Sequence, residues 1–117
     1  YIYKKLKMIN LHKDSFTIII GRNAKENWEI LDNANKDDLW VHLNDLASPH
    51  IIIKKNPNYK LKPKDIKLAG LLCKQYSKYK KDNNIEYCYT KVKNVKKGKD
   101  VGEVELSIEP NIRKLRD

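Results

Sequence analysis

The chain has 117 residues and a formal net charge of +10 at pH 7, from 25 lysines and arginines against 15 acidic residues. This length is that of one domain with its own hydrophobic core, and no apolar run approaches the ~20 residues that a membrane-spanning helix needs. The charge attracts polyanions, so the candidate partners are nucleic acids, anionic membrane surfaces and acidic proteins.

The first elements in chain order are a strand or lead-in over residues 3–11, a turn at 13–15 and a strand over 16–21. The last of these is predicted from its β-branched residues, and it ends at Gly21. A short helix over residues 22–34 follows.

That helix carries a capping signal at its start. Asn23 can cap it, and Glu26 stands three residues later in the capping-box position. The apolar stripe predicted from the helical spacing consists of Ala24, Trp28, Leu31 and Ala34.

Two strands and a longer helix follow in the middle of the chain. The segments 38–43 and 50–55 are predicted as strands and 56–63 as a loop. Pro63 suits the first turn of a helix that we expect to run to about Lys81. Its apolar side consists of Ile66, Leu68, Ala69, Leu72, Cys73, Tyr76 and Tyr79. Its other side carries Lys64, Lys67, Lys74, Lys78 and Lys81, with Leu71 as the exception.

The last third of the chain predicts a β-hairpin. Residues 85–95 form one strand, 96–100 the turn and 101–108 the return strand, and the tail is expected to form a helical turn. The elements, in the order β-β-α-β-β-α-β-β, predict a single α+β domain over residues 1–117. We expect a mainly antiparallel or mixed sheet with two helices.

The two cysteines and the start of the chain bear on its location. Cys73 and Cys88 lack the spacing of a zinc knuckle and are too few for a disulfide framework, so we expect two reduced thiols. No signal peptide is visible, which favours a cytoplasmic location.

The positive charge is concentrated in one segment. Residues 60–99 contain thirteen lysines and only three acidic residues, so this segment accounts for the net charge of +10. A lysine-rich helix face followed by a lysine-bearing hairpin predicts a surface that contacts the phosphates along a nucleic-acid backbone. The alternative is that these lysines form an ordinary solvated face. The candidate nucleic-acid-binding lysines are Lys64, Lys67, Lys74, Lys78, Lys81, Lys91, Lys93, Lys96, Lys97 and Lys99.

Two tyrosines accompany these lysines. Tyr87 and Tyr89 share one face of the predicted strand with Lys91 and Lys93. Aromatic rings can stack on unpaired bases while lysines contact phosphates. Packing of both rings in the hydrophobic core is the alternative interpretation.

A second group of candidate residues lies in the strand predicted over residues 38–43. Asp38, Trp40 and His42 alternate there and therefore point to one face of the sheet. Asp38 and His42 are about 13 Å apart at ~3.3 Å per residue, which excludes a direct Asp–His pair. His50 begins the next strand and lies beside His42 if the two strands form a hairpin.

A metal-dependent hydrolase is the enzymatic alternative for this group. A metal held by His42 and His50 needs a third ligand, which Asp38 or Asp45 could supply. No serine lies in a nucleophile-elbow context, and the four glycines do not form a phosphate-binding loop. We therefore expect no enzyme activity, no metal and no other cofactor.

The stretches IIIGRNAKEN and DDLWVHLNDLASPHIIIKK together resemble the NFACT-R domain, the RNA-binding domain of NFACT proteins, and the resemblance covers essentially the whole chain. Its motif residues are Gly21, Arg22, Asn23, Asn27, Asp38, Trp40, His42 and His50. We take all of these except Gly21 as further candidates for nucleic-acid binding. His42 and His50 are expected to shape a polar pocket near Arg22, and Trp40 either anchors the fold or stacks on a ligand.

The resemblance implies a non-catalytic module for structured RNA such as tRNA or ribosomal RNA, either free or on a ribosomal subunit. NFACT proteins act on stalled large ribosomal subunits, which suggests a link to translation and ribosome quality control. Docking to a ribosome or protein without sequence readout, and DNA binding, are the alternatives. No membrane partner is expected.

Overall fold

Eight β-strands and two α-helices make up the part of the chain that the computed structural model describes, residues 9–12 and 15–115. The strands are β1 (Ile9–His12), β2 (Phe16–Ile20), β3 (Leu39–Leu43), β4 (Ile51–Lys55), β5 (Glu86–Lys91), β6 (Val95–Lys97), β7 (Val104–Leu106) and β8 (Asn111–Lys114). The helices are α1 (Ala24–Asp32) and α2 (Pro63–Gln75). The predicted lead-in at 3–8 and the predicted turn residues Lys13 and Asp14 lie outside the described residues.

Six of these strands form one sheet in the order β1-β2-β4-β3-β5-β8, while β6 and β7 form a separate two-stranded sheet. All the strand pairs are antiparallel. The predicted α+β class, with a mainly antiparallel sheet and two helices, is therefore confirmed. Within the described ranges, no helix has the length and apolar character needed to cross a membrane.

Both faces of the six-stranded sheet are covered, and the three isoleucines of β4 show how. Ile51 and Ile53 pack into a core beneath α2, whereas Ile52 packs into a second core with residues of α1 and the β6–β7 hairpin. Side chains of a strand alternate between the two faces of the sheet, so a strand covered on both faces is apolar at every position. We call the two sides the α2 face and the α1 face.

The start of α1 is fixed by side chains that accept backbone N–H groups. Asn23 is the N-cap, and its Oδ1 accepts from the Glu26 amide at 2.9 Å, as the capping signal predicted. The Glu26 carboxylate in turn accepts from the amide of Arg22 at 2.9 Å. Gly21 packs against Asn27 so closely that any Cβ at this position would clash with it.

The apolar stripe predicted for α1 is wrong in part. Ala24 is exposed and Trp28 is only half-buried, whereas Ile30, Leu31 and the polar Asn27 are buried. The reason is that Asn27 turns toward the sheet and bonds to its backbone, which rotates the buried side of the helix away from Ala24.

The predicted extension of α2 to Lys81 is also wrong. The helix does begin at Pro63, but it ends at Gln75 and residues 76–81 form turns. Ser77 bonds to the Lys74 carbonyl through both its amide, at 3.1 Å, and its hydroxyl, at 2.8 Å. Serine competes in this way with the continuing helical hydrogen bonds. Lys78 and Lys81 therefore belong to a turn, and Tyr76 is exposed rather than apolar-facing.

The predicted strand over residues 85–95 is divided. β5 ends at Lys91, and Val92–Asn94 form a 3-10 turn in which the side-chain Nδ2 of Asn94 donates to the Thr90 hydroxyl at 2.9 Å. Lys93 therefore does not continue the face of Tyr87 and Tyr89, as the sequence had suggested. The predicted hairpin exists only as the short β6–β7 sheet.

The tail is a strand, not the expected helical turn. β8 pairs with β5 along the edge of the six-stranded sheet, with Tyr87 opposite Arg113. Leu115 follows it into the core beneath α2, and its amide donates to the Ile85 carbonyl at 2.7 Å. Burial of Leu115 and pairing with an otherwise open strand edge together favour the extended conformation.

The buried position of Lys74 leads to a stability prediction. Lys74 is 7% exposed, although the helical spacing placed it on the solvent side with Lys67. We expect Lys74→Glu to destabilise the domain, because charge reversal at a buried site disrupts its environment. Lys67→Glu, the matched variant at an exposed site, should cost no more than ~0.5 kcal/mol. Urea unfolding of both proteins would test this, and equal midpoints would contradict it.

Candidate nucleic-acid interface

The β3–β4 pairing brings three aromatic side chains of the predicted motif together on the α1 face. The His42 and His50 rings lie edge to face with centroids 4.8 Å apart, as the hairpin prediction required. Trp40 stacks on His42 at 5.5 Å and 5°, and its Nε1–H donates to Nδ1 of His50 at 3.1 Å. Trp40, His42 and His50 are called the His–Trp cluster below.

The hydrogen bonds assign a tautomer to each histidine. Nδ1 of His50 accepts from Trp40, so in the neutral ring the proton is on Nε2. Nδ1 of His42 lies 2.6 Å from the Leu43 carbonyl oxygen, which can only accept, so this nitrogen carries the proton.

Burial keeps both histidines neutral. It lowers the pKa of His50 to about 3, with a further lowering from the nearby His42. It also lowers the pKa of His42, against the opposing effect of hydrogen bonds to the backbone of Leu43 and Ser48. Neither ring is a cation at neutral pH, so neither attracts a phosphate by charge.

Asp38 does not join this cluster. Its Oδ2 accepts from the Asn35 amide at 2.7 Å and from the Lys54 ammonium at 2.8 Å, which closes the turn after α1. Asp45, the other predicted ligand, is exposed. Among residues 9–12 and 15–115, no group of three or more histidine, cysteine or carboxylate side chains is arranged to hold a metal ion.

The Gly-Arg-Asn stretch and Asn27 connect α1 to the cluster. Oδ1 of Asn27 accepts from the His50 amide at 3.2 Å, and the Gly21 amide donates to the His50 carbonyl at 3.0 Å. Asn23 is occupied as the helix cap. The Arg22 guanidinium is half-exposed but lies 3.3 Å from the Glu26 carboxylate, so its charge is partly neutralised.

A cleft of about 400 Å³ opens beside the two histidines, under the β6–β7 turn. Its walls include Lys99 but also two acidic residues, Glu103 and Glu105. A cleft with two acidic residues and one lysine, next to two neutral histidines, has little attraction for a phosphate.

The predicted lysines are distributed around the domain. Lys91 lies 3.7 Å from Asp37, and Lys97 contacts both carboxylate oxygens of Asp32 at 2.7 and 2.8 Å. Such pairs reduce the charge available to a ligand. The other exposed lysines of the predicted set are Lys64 and Lys67 on α2, Lys78 and Lys81 in the following turn, and Lys93, Lys96 and Lys99 around the β6–β7 hairpin.

A second concave surface lies on the α2 face and joins residues from three parts of the chain. This groove, of about 650 Å³, lies between the first half of α2, β5 and β8. We call it the α2–β8 groove, and it is lined by Leu61, Pro63, Lys64, Ile66, Lys67, Tyr87, Tyr89, Arg113 and Lys114. The Arg113 guanidinium carbon lies 5.8 Å from the centre of the Tyr89 ring, within the range of a cation–π contact.

Arg113 and Lys114 were absent from the sequence-based candidates. The sequence predicted a helical turn for the tail, and a helical turn does not pair with β5. Only a strand paired with β5 places Arg113 opposite Tyr87. The sequence NIRKL gave no signal for a strand, because its apolar residues Ile112 and Leu115 are three positions apart, which is helical spacing and not alternation.

Comparison with known proteins identifies the family. Residues 4–107 match the family described as NFACT protein RNA binding domain. The match covers most of the chain and includes both the His–Trp cluster and α2. The chain belongs to this family of RNA-binding domains.

Curated relatives agree with this assignment. The chain is 29% identical over 82 residues to the Rqc2 homolog RqcH of Bacillus subtilis, covering 69% of this chain and 14% of that protein. It is 24% identical over 110 residues to coiled-coil domain-containing protein 25 of Bos taurus, and equally to that of Mus musculus, covering 89% of this chain and 53% of those proteins. The chain thus spans between a seventh and about half of the length of these relatives.

A solved structure supports the fold. The C-terminal part of the fibronectin/fibrinogen-binding protein from Streptococcus suis superposes with a TM-score of 0.79 at 23% identity. The superposition covers 93% of this chain and 44% of that one.

The lowered histidine pKa values predict a pH-dependent stability. The unfolded chain protonates His50 below its ordinary pKa of 6.5, whereas the folded protein does so only near pH 3. Stability should therefore fall as pH decreases through this window, and between pH 7 and 5 His50 should contribute a loss of about 2 kcal/mol.

His50→Asn provides the comparison, because asparagine retains an acceptor near the position of Nδ1 but does not titrate. Unfolding free energies from urea titrations at pH 5 and pH 7 should differ by about 2 kcal/mol less in the variant than in the wild type. Equal pH dependence in the two proteins would show that His50 is not a buried neutral histidine.

Trp40 should be essential to stability. The side chain is 3% exposed and packs with Ile30, Ile52 and Cys88 in the core on the α1 face. Trp40→Ala should cost about 3–5 kcal/mol in unfolding free energy. Trp40→Phe, which keeps an aromatic ring but removes the donor to His50, should cost less. A Trp40→Ala protein with wild-type melting would refute the core role.

Proposed function

We propose that this domain is a non-catalytic RNA-binding module for structured RNA such as tRNA or ribosomal RNA. We propose further that it acts in the cytoplasm, in translation or ribosome quality control. NFACT proteins act on stalled large ribosomal subunits, and the likeness to the Rqc2 homolog RqcH supports the same setting for this domain. Membership of the RNA-binding family supports the RNA component of the proposal.

The observation that carries the proposal is the exposed positive charge near α2. Among the described residues, Lys64 and Lys67 are exposed and form no ion pair with a carboxylate. They are joined at the α2–β8 groove by Arg113 and Lys114 from the other end of the chain. Charges that are not neutralised within the protein are available to neutralise phosphates.

The hydrolase alternative receives little support from the site. The His–Trp cluster contains two neutral histidines with their Nδ1 atoms already bonded. Burial raises the pKa of both cysteines, of Cys88 to about 11, which opposes a role as nucleophile. The function we propose therefore rests on binding and not on chemistry.

Salt dependence of binding tests the proposal. Affinity for a structured RNA should fall steeply with salt, with a log–log slope of about −0.7 to −0.9 per neutralised phosphate. Replacing both Lys64 and Lys67 by glutamine should make the slope shallower by up to about 1.4–1.8. The matched control replaces Lys25 and Lys36, which are exposed in and just after α1, and has the same net charge.

The results separate the alternatives. We expect the control to keep nearly the wild-type slope. A flat salt response, or no binding to free RNA at low salt, would refute the RNA-binding proposal and favour docking to a protein. Competition with single-stranded DNA of the same sequence would show whether the 2′-hydroxyl contributes to binding. If the DNA competes as well as the RNA does, the DNA-binding alternative is favoured.

A further inference from the structure

We propose that the α2–β8 groove binds an unpaired RNA nucleotide, with the base stacked on Tyr89 and the adjoining phosphates held by Lys64, Lys67 and Arg113. The inference rests on the proposed RNA-binding function and assigns it a binding site. The groove volume of about 650 Å³ lies within the ~300–1,000 Å³ range of small-ligand sites.

The floor of the groove is a pair of tyrosines of unequal exposure. Tyr87 and Tyr89 lie on the same face of β5, with ring centroids 6.2 Å apart and planes 26° from parallel. Tyr87 is 4% exposed and is held against Gly70 of α2, where a Cβ would approach its ring to 2.6 Å. Tyr89 is only partly buried, so it is the ring with surface to offer a base.

Cations lie on both sides of this floor. Lys64 and Lys67 are three residues apart on α2, so their side chains neighbour each other on the helix surface. Arg113 is exposed on β8, opposite Tyr87, and its guanidinium carbon lies 5.8 Å from the centre of the Tyr89 ring. A base on Tyr89 would thus have cations within reach on either side. The phosphates before and after a stacked base lie on its two sides, where these cations can contact them.

The nearby carboxylates compensate this charge only in part, through the interaction of Asp65 with Lys64. No acidic residue lines the groove among the described residues. Asp65 of α2 is buried and accepts from the Tyr59 hydroxyl at 2.6 Å and the Lys62 amide at 2.9 Å. Glu86 stands opposite Lys114 in the strand pairing, and its carboxylate accepts from the Asn44 side chain at 3.2 Å. The groove therefore differs from the cleft beside His42 and His50, which is lined by two acidic residues and one lysine.

An unpaired nucleotide suits the groove better than a duplex. A base can reach an aromatic ring in a concave site only when it is free of its own stack. Structured RNAs present such bases in loops and at single-stranded ends. The exposed lysines outside the groove, such as Lys78 and Lys81, remain available to contact duplex phosphates.

The test compares two RNAs with the same stem, one blunt-ended and one with a short single-stranded 3′ tail. The wild-type domain should bind the tailed RNA more tightly. Tyr89→Ala should lose affinity for the tailed RNA by about 5- to 150-fold, the effect of one base stack, and should bind the two RNAs almost equally. Tyr89→Phe should behave like the wild type, because it retains the ring.

Two controls make the result specific. Tyr76→Ala removes a tyrosine that is 50% exposed at the far end of α2, and it should leave the preference for the tailed RNA unchanged. Arg113→Gln alters the groove on an exposed edge strand and keeps the proposal testable if Tyr89→Ala fails to fold. Lys80→Gln, an exposed site outside the groove, is its charge-matched control.

We expect Arg113→Gln, but not Lys80→Gln, to reduce the preference for the tailed RNA. If both groove variants bind the tailed RNA as their controls do, while the salt dependence of binding remains steep, the groove assignment is overturned and the RNA-binding function stands. If the wild-type domain binds neither RNA at low salt, the proposed function and the groove assignment both fail.

Discussion

His50 links four elements of this domain through hydrogen bonds. Its imidazole accepts from Trp40 on β3, its amide donates to Asn27 on α1, and its carbonyl accepts from Gly21 at the end of β2. A buried polar group without partners would cost free energy, so each of these bonds helps to fix the position of its element. These bonds, together with the packing of Ile30 and Leu31, hold α1 on the sheet and so help to bury β4 on both faces.

This role explains why the most conspicuous motif of the sequence contributes little surface to a ligand. Trp40 and His50 are buried, Asn23 caps a helix and Asp38 closes a turn. Hydrogen bonds within a low-dielectric interior require neutral, well-oriented partners, whereas phosphate binding requires exposed cations. The two requirements are met in different parts of the domain: the polar scaffold lies on the α1 face, and exposed cations lie at the α2–β8 groove and around the β6–β7 hairpin.

Local signals predicted the strands β2 to β4, the N-cap Asn23 and the start of α2 at Pro63, because alternation, capping and proline geometry act within a few residues. Helical spacing failed at Lys74, which lies one heptad from Lys67 and should share its exposure. The end of α2 lies deeper in the fold, where the Cys73 thiol reaches the carbonyls of Val41 and Pro49 at 3.8 and 3.6 Å. A helical wheel assumes equal depth along the helix, and only tertiary packing sets that depth.

The α2–β8 groove could not be predicted because its parts are separated in the sequence. Lys64 and Lys67 were recognised as exposed cations and Tyr89 as a candidate for stacking, but Arg113 reaches them only through the pairing of β8 with β5.

A rigid site needs such long-range support: Gly70 holds Tyr87, and Tyr87 supports Tyr89. Because the ring is held in place before a base arrives, little conformational entropy is lost on stacking, and the nearby cations add attraction that salt can screen. Stacking and charge thus make separable contributions at one surface.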